Sequence, residues 1–97
     1  MRRDDVSVTC AATEDGWRCE AVVGQPGGDA TRHEVLVDRR VLEDLAPGAE
    51  AELLVAESFA FLLEREPRES ILHSFELPII GRYFAEYPDE IRRRLAR

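Results

Sequence analysis

The sequence predicts an α+β domain, in which an antiparallel sheet comes first and helices follow and pack on one of its faces. Three observations lead to this prediction. Apolar and polar residues alternate through the first third of the chain, apolar residues then follow helical spacing, and prolines divide the remainder into short segments. The 97 residues predict a single domain over 1–97, because neither half looks able to form a separate core.

The alternating runs predict a three-stranded antiparallel meander. The first two strands, at about 6–12 and 17–23, are joined by turn residues at 13–16, and a third strand at about 31–37 follows a glycine-rich loop. Such a sheet has one apolar face, so we expect the helices to cover that face. The face carries Val6, Val8, Cys10, Trp17, Cys19, Ala21, Val35 and Val37.

Four to five helices are predicted after the sheet, at about 39–46, 50–66, 67–75, 78–86 and 88–96. Asp38 is a favourable N-cap for the first of them. The second has the broadest apolar face and is predicted to lie at the centre of the core. Pro67, Pro78 and Pro88 each disfavour helical geometry in the residue before them and suit the first turn of a new helix.

The charge distribution limits the classes of partner. The net charge is −7, from 20 acidic residues against 13 basic ones, all of which are arginine. Nucleic-acid binding over the whole surface is therefore disfavoured, because phosphate contacts depend on basic residues. Only residues 67–97 carry a net positive charge, with five acids and six arginines.

The chain is expected to be cytoplasmic and to have no contact with membranes. Its start is charged and lacks the apolar run of a secretory signal. The longest apolar-rich run, 53–63, is interrupted by Glu57 and Ser58 and is shorter than the roughly 20 residues that span a bilayer.

The two cysteines raise the question of a disulfide. If Ala12 pairs with Trp17, Cys10 lies directly opposite Cys19 and the two are within reach of a bridge. A turn centred one residue later along the chain would instead leave the thiols diagonal. Because no secretion signal is present, the sequence favours two free thiols over a bridge.

No enzyme, cofactor or metal chemistry is predicted. Zinc bound by the cysteines and His33 is disfavoured, because structural zinc sites use closely spaced cysteine pairs. His33 and His73 are the only side chains that ordinarily titrate near neutral pH, and neither lies in a catalytic motif. The glycine-rich loop lacks the helix and the lysine of a phosphate-binding loop, so no small-molecule ligand is predicted either.

The C-terminal third is the predicted site of function. Ile79, Tyr83 and Tyr87 line up along one side of the predicted helix 78–86 and its end, and Arg82 and Arg93 flank them. This pattern predicts a non-enzymatic protein–protein interaction module, which docks a partner or a second copy of itself on its C-terminal helices. Alternatively, the same stripe simply closes the core of a small domain.

A second functional class uses the same segment. Two short helices joined by a tight turn at 75–77 superficially resemble a helix-turn-helix, and Arg82 together with 92–94 could contact phosphates. A recognition helix is polar and exposed, whereas this one is mostly apolar. A nucleic-acid-associated regulator is therefore the alternative to the interaction module.

Overall fold

The first three strands have the order and the pairing that the alternating pattern predicts. In the computed structural model, which describes residues 5–25 and 28–96, β1 (Val6–Ala12), β2 (Gly16–Gly24) and β3 (Ala30–Asp38) form an antiparallel meander. The ends of the predicted domain, 1–4 and 97, and loop residues 26 and 27 lie outside the described residues. The predicted α+β class is confirmed.

The turn between β1 and β2 fixes their register. The Thr13 N–H donates to the Gly16 carbonyl at 2.8 Å, and the Gly16 N–H donates to Thr13 Oγ1 at 3.1 Å. A Cβ atom at Gly16 would lie 2.0 Å from the Val37 carbonyl oxygen, so only glycine allows β3 to pass this closely. Ala12 consequently pairs with Trp17, and the diagonal alternative does not occur.

The preference for free thiols is wrong in this structure. Cys10 pairs directly with Cys19, and the two sulfur atoms form a disulfide between β1 and β2. Both cysteines of the chain are therefore bridged. The expectation of free thiols rested on the cellular compartment, whereas the bridge follows from the pairing that the turn imposes.

Two helices follow the sheet close to their predicted positions. α1 (Arg39–Leu45) is capped by Asp38, whose Oδ1 accepts from the Arg40 N–H at 2.8 Å. α2 (Ala51–Leu63) lies across the apolar face of the sheet, where Leu54, Val55 and Phe59 are fully buried. As predicted, α2 is the centre of the core.

The predicted helix over 67–75 is wrong. A short 3₁₀ turn at Arg68–Ser70 is followed by β4 (Ser74–Glu76), which pairs in parallel with β3. The sheet therefore has four strands and is mixed, in place of the three antiparallel strands predicted. The apolar spacing in this segment fits a helix, but β4 satisfies backbone groups of β3, as when the Glu34 N–H donates to the His73 carbonyl at 2.7 Å.

The predicted helix over 78–86 is shorter than expected. A 3₁₀ turn at Leu77–Ile79 leads into α3 (Ile80–Tyr83), and the chain is already extended at Phe84. α4 (Tyr87–Leu95) agrees within one residue with the last predicted helix. It packs on α2 and α1, and its Tyr87 and Ile91 lie in the core. In the described part of the chain, no helix is long and apolar enough to cross a membrane.

Candidate docking site

An apolar groove lies beside β4, between the end of α2 and α3. Its volume is about 160 Å³. Three buried side chains, Leu62, Ile71 and Ile80, form part of its lining and belong to the hydrophobic core. The groove is therefore a place where the core opens onto the surface.

The rim of the groove exposes large apolar side chains. Tyr83 is 66% exposed and Leu72 is 45% exposed, and Ile79 is partly buried beside them. Scattered apolar residues are normal on a protein surface, whereas grouped ones around a concavity make a candidate docking site. We refer to Leu72, Ile79 and Tyr83 as the rim cluster.

Aromatic and charged contacts fix the position of Phe84, which lines the groove. The Phe84 ring lies edge-on to Phe61, with centroids 5.9 Å apart. The Arg65 guanidinium lies over the Phe61 ring, 3.6 Å from its centroid, and its Nε donates to Glu86 Oε2 at 3.2 Å. These contacts join the residues that follow α3 to the end of α2. They therefore stabilise the segment that carries Tyr83 of the rim cluster.

A buried histidine hydrogen-bonds to the backbone of Leu72, which lines the groove. His33 Nδ1 donates to the Leu72 carbonyl at 2.7 Å, and Nε2 accepts from Thr31 Oγ1 at 2.8 Å. The ring of His73 stacks on that of His33, with centroids 5.6 Å apart. Burial lowers the pKa of His33, the bond to Leu72 opposes this shift, and His73 adds to it. A neutral His33 therefore ties β3 to the backbone of a rim residue.

The structure separates the five residues predicted to bind a partner. Ile79 and Tyr83 line the groove, and Arg82 is exposed next to Tyr83 on α3. Tyr87 does not belong to a docking face, because it is only 1% exposed and its hydroxyl lies 2.6 Å from Ser58 Oγ in the core. Arg93 is exposed on α4, outside the residues that line the groove, and forms an ion pair with Glu90 at 2.6 Å.

Sequence reasoning missed Leu72 and His33 as parts of this site. Leu72 falls within the predicted helix over 67–75, whereas in the structure it lies just before β4. A signal for His33 was present, since it shares the apolar face of β3 with Val35 and Val37. The sequence could not show that its partner would be a backbone carbonyl 39 residues away.

The arginines of α4 are engaged within the chain. Arg92 donates to both carboxylate oxygens of Asp44, at 3.1 and 3.0 Å, and Arg94 lies 2.6 Å from Glu64 Oε1. Hydrogen bonds from Arg93 and Arg94 lower the pKa of Glu90. Each arginine of the 92–94 run thus has an acidic neighbour, and this surface is not a basic patch.

A second concavity lies over the exposed face of the sheet. Its volume is about 520 Å³, and it is open to solvent. Two ion pairs cross it, Arg18 to Glu34 at 3.1 Å and Arg32 to Glu20 at 3.5 Å. Within the described residues, no group of three or more histidine, cysteine or acidic side chains could hold a metal ion. This face has the mixed charge of a solvated sheet surface.

Comparison with protein-family models, with curated proteins and with solved structures gives no match.

Proposed function

We propose that this chain is a non-enzymatic protein-interaction module that docks a partner at the groove between α2 and α3. The observation that carries the proposal is the rim cluster, in which Leu72, Ile79 and Tyr83 expose apolar surface around a concavity continuous with the core. The volume of about 160 Å³ is small beside the roughly 300–1,000 Å³ of small-molecule pockets. It suits a protruding side chain better than a metabolite.

The partner that fits presents one large apolar side chain and a nearby carboxylate. The apolar side chain enters the groove, and the exposed Tyr83 ring covers it. Arg82 is exposed next to Tyr83 and forms no ion pair with any described residue, so it is available to the carboxylate. Tyrosine and arginine are the residues most often found at the energetic centre of interfaces.

The nucleic-acid alternative receives less support. It depends on the arginines of the C-terminal helices, and three of them, at 92–94, are paired with Asp44, Asp89, Glu64 or Glu90. A phosphate would have to replace those carboxylates, on a chain whose net charge is −7.

The cytoplasmic location expected from the sequence belongs to the same proposal. The Cys10–Cys19 disulfide makes that location testable. Thiols are kept reduced in the cytosol of most organisms, so a bridge found in intact cells would argue against a cytoplasmic location. Alkylation of thiols in intact cells, before lysis, would report whether the bridge is present there.

The proposal is tested by affinity capture from the native host with three baits: the wild-type chain, Tyr83→Ala and a matched control, Leu53→Ala. Leu53 is 38% exposed on α2 and does not line the groove, so its substitution removes similar apolar surface elsewhere. A partner of the proposed kind is retained by wild type and Leu53→Ala and is lost with Tyr83→Ala. Thermal unfolding of each bait confirms that the fold is intact.

The identified partner is then measured by calorimetry against the same proteins and Leu72→Ala. We expect Tyr83→Ala and Leu72→Ala to weaken binding at least tenfold, about 1.4 kcal/mol, and Leu53→Ala to change it less than about twofold. Retention of every captured protein by Tyr83→Ala would contradict the proposal. So would a partner whose affinity depends only on the arginines of α4.

A further inference from the structure

Within the described part of the chain, the strand β1 forms an open edge of the sheet, on the side opposite to the groove. Its seven residues include no charged residue, no proline and no glycine, and their pairing with β2 runs without a bulge. Natural sheets usually protect an edge by one of these devices or by making the edge strand very short. The other edge, β4, has only three residues and carries Glu76.

Two hydrogen bonds establish which backbone groups of β1 face outward. The Gly24 N–H donates to the Asp5 carbonyl at 2.8 Å, and the Thr13 N–H donates to the Gly16 carbonyl at 2.8 Å. Antiparallel pairs alternate between bonded and non-bonded, so the odd-numbered residues of β1 bond to β2 and the even-numbered ones direct their N–H and C=O groups away. Those residues are Val6, Val8, Cys10 and Ala12, and no described residue hydrogen-bonds to them.

The strand β1 is already ordered in the conformation that pairing with another strand requires. Val6, Val8 and Cys10 pack their side chains against the core, and the disulfide ties the middle of β1 to β2. A strand that is already extended and fixed loses little conformational freedom when a partner pairs with it.

Charge selects the occupant. Glu14 and Asp15 lie in the turn at one end of β1, are exposed, and form no ion pair with a described residue. A second copy of the chain would bring its own acidic surface, since each copy has a net charge of −7. A partner segment that is uncharged along its centre and carries basic residues beside this turn meets complementary charge.

We infer that β1 accepts an extended segment of another protein as a fifth strand of the sheet, the segment being uncharged at its centre and having arginine or lysine beside the 13–16 turn. The outward N–H and C=O groups of the even-numbered residues supply the affinity, as in other cases of strand addition. The inference is independent of the groove, since the sheet order places β1 and β4 at opposite edges.

The test uses the full chain and three synthetic peptides. The first, Arg-Arg-Thr-Val-Thr-Val-Thr-Arg-Arg, is the probe. The second replaces each arginine by glutamate, and the third is the probe with N-methyl groups on alternate central residues, which remove its hydrogen-bond donors. Calorimetry gives the affinities, and amide chemical shifts of the labelled chain locate the site. We expect the probe to perturb β1, and both modified peptides to bind at least tenfold more weakly.

Two variants of Val8 test the edge from the side of the protein. Val8→Pro removes an outward N–H without breaking the β1–β2 ladder, and it should weaken probe binding at least tenfold. Val8→Thr keeps the N–H and should bind like wild type. If Val8→Pro does not fold, the N-methylated peptide still decides the question.

Several results would overturn the inference. These are the absence of probe binding at millimolar concentration, equal binding of the N-methylated peptide, and shift changes centred on Leu72 and Tyr83. A dimer mass in sedimentation that disappears in Val8→Pro would assign the edge to a second copy and would also overturn it.

Discussion

The Tyr87 hydroxyl of α4 donates a hydrogen bond to Ser58 Oγ of α2, at 2.6 Å in the core. The direction follows from the serine, whose single hydroxyl hydrogen goes to the Leu54 carbonyl at 2.7 Å. The Tyr87 ring also meets Phe61 edge-on, with centroids 5.2 Å apart. Tyr87, which the sequence predicts to lie on a docking face, therefore joins α4 to α2 in the core.

Removing this hydroxyl should destabilise the fold without changing its shape. Tyr87→Phe leaves Ser58 with its bond to Leu54 but without a donor, so we expect the free energy of unfolding to fall by about 1 kcal/mol. Urea unfolding measures this change. Tyr83→Phe is the matched control, because the Tyr83 hydroxyl has no bond to a described residue; equal losses in both variants would refute the assignment.

The raised pKa of the same tyrosine leads us to expect unfolding at alkaline pH. Burial raises the pKa of Tyr87 to about 12. The unfolded chain releases this proton near pH 10, so the contribution to stability is complete below pH 10 and is lost as the pH rises toward about 12. Ultraviolet absorbance of tyrosinate should show one phenol that titrates together with unfolding, and this step should vanish in Tyr87→Phe.

His33 predicts a loss of stability in mild acid. Burial lowers its pKa below the ordinary value of 6.5, so between these two values the unfolded chain binds more protons than the folded one. The free energy of unfolding should therefore decrease as the pH falls below 6.5. In His33→Asn, which retains a donor for the Leu72 carbonyl, urea unfolding should show a flatter dependence over this range; an unchanged slope would contradict the prediction.

Gly81 should tolerate alanine, and the fold should gain stability. An added Cβ would lie 3.7 Å from Pro88 Cγ, an ordinary contact, and alanine is a better helix former by about 1 kcal/mol. Thermal unfolding of Gly81→Ala should show a gain of about 0.5–1 kcal/mol, and Gly16→Ala a large loss. If the docked partner approaches Gly81 closely, Gly81→Ala would also weaken binding of that partner in the groove.

The disulfide should account for a measurable part of the stability. It closes a loop with a sequence separation of nine residues, for which chain entropy predicts about 2–3 kcal/mol. The Cys10→Ser/Cys19→Ser double variant should lose this amount in urea unfolding. Protein purified without reductant should show no reactive thiol under denaturing conditions, and two reactive thiols would contradict the bridge.

The proposed site was only partly visible in the sequence. Ile79, Arg82 and Tyr83 were found because apolar and basic residues cluster near Pro78. The assignment of Tyr87 to the same face depended on one continuous helix over 78–86, and that helix ends after four residues. Leu72 lies at the rim because β4 forms beside it, and β4 depends on pairing with residues of β3 forty positions earlier in the chain.

Local patterns in the sequence determined the hairpin, the meander, the central helix and the last helix, and they left two hairpin registers open. Each follows from residues that are neighbours along the chain, such as the turn at 13–16 or the apolar spacing of α2. The three-dimensional structure decided which hairpin register forms, and with it the bridge between the cysteines. Tertiary contacts decided that 74–76 is a strand and that Tyr87 is buried. These features depend on partners supplied by other elements. A single segment does not carry that information, because its backbone and apolar side chains can be satisfied in more than one way.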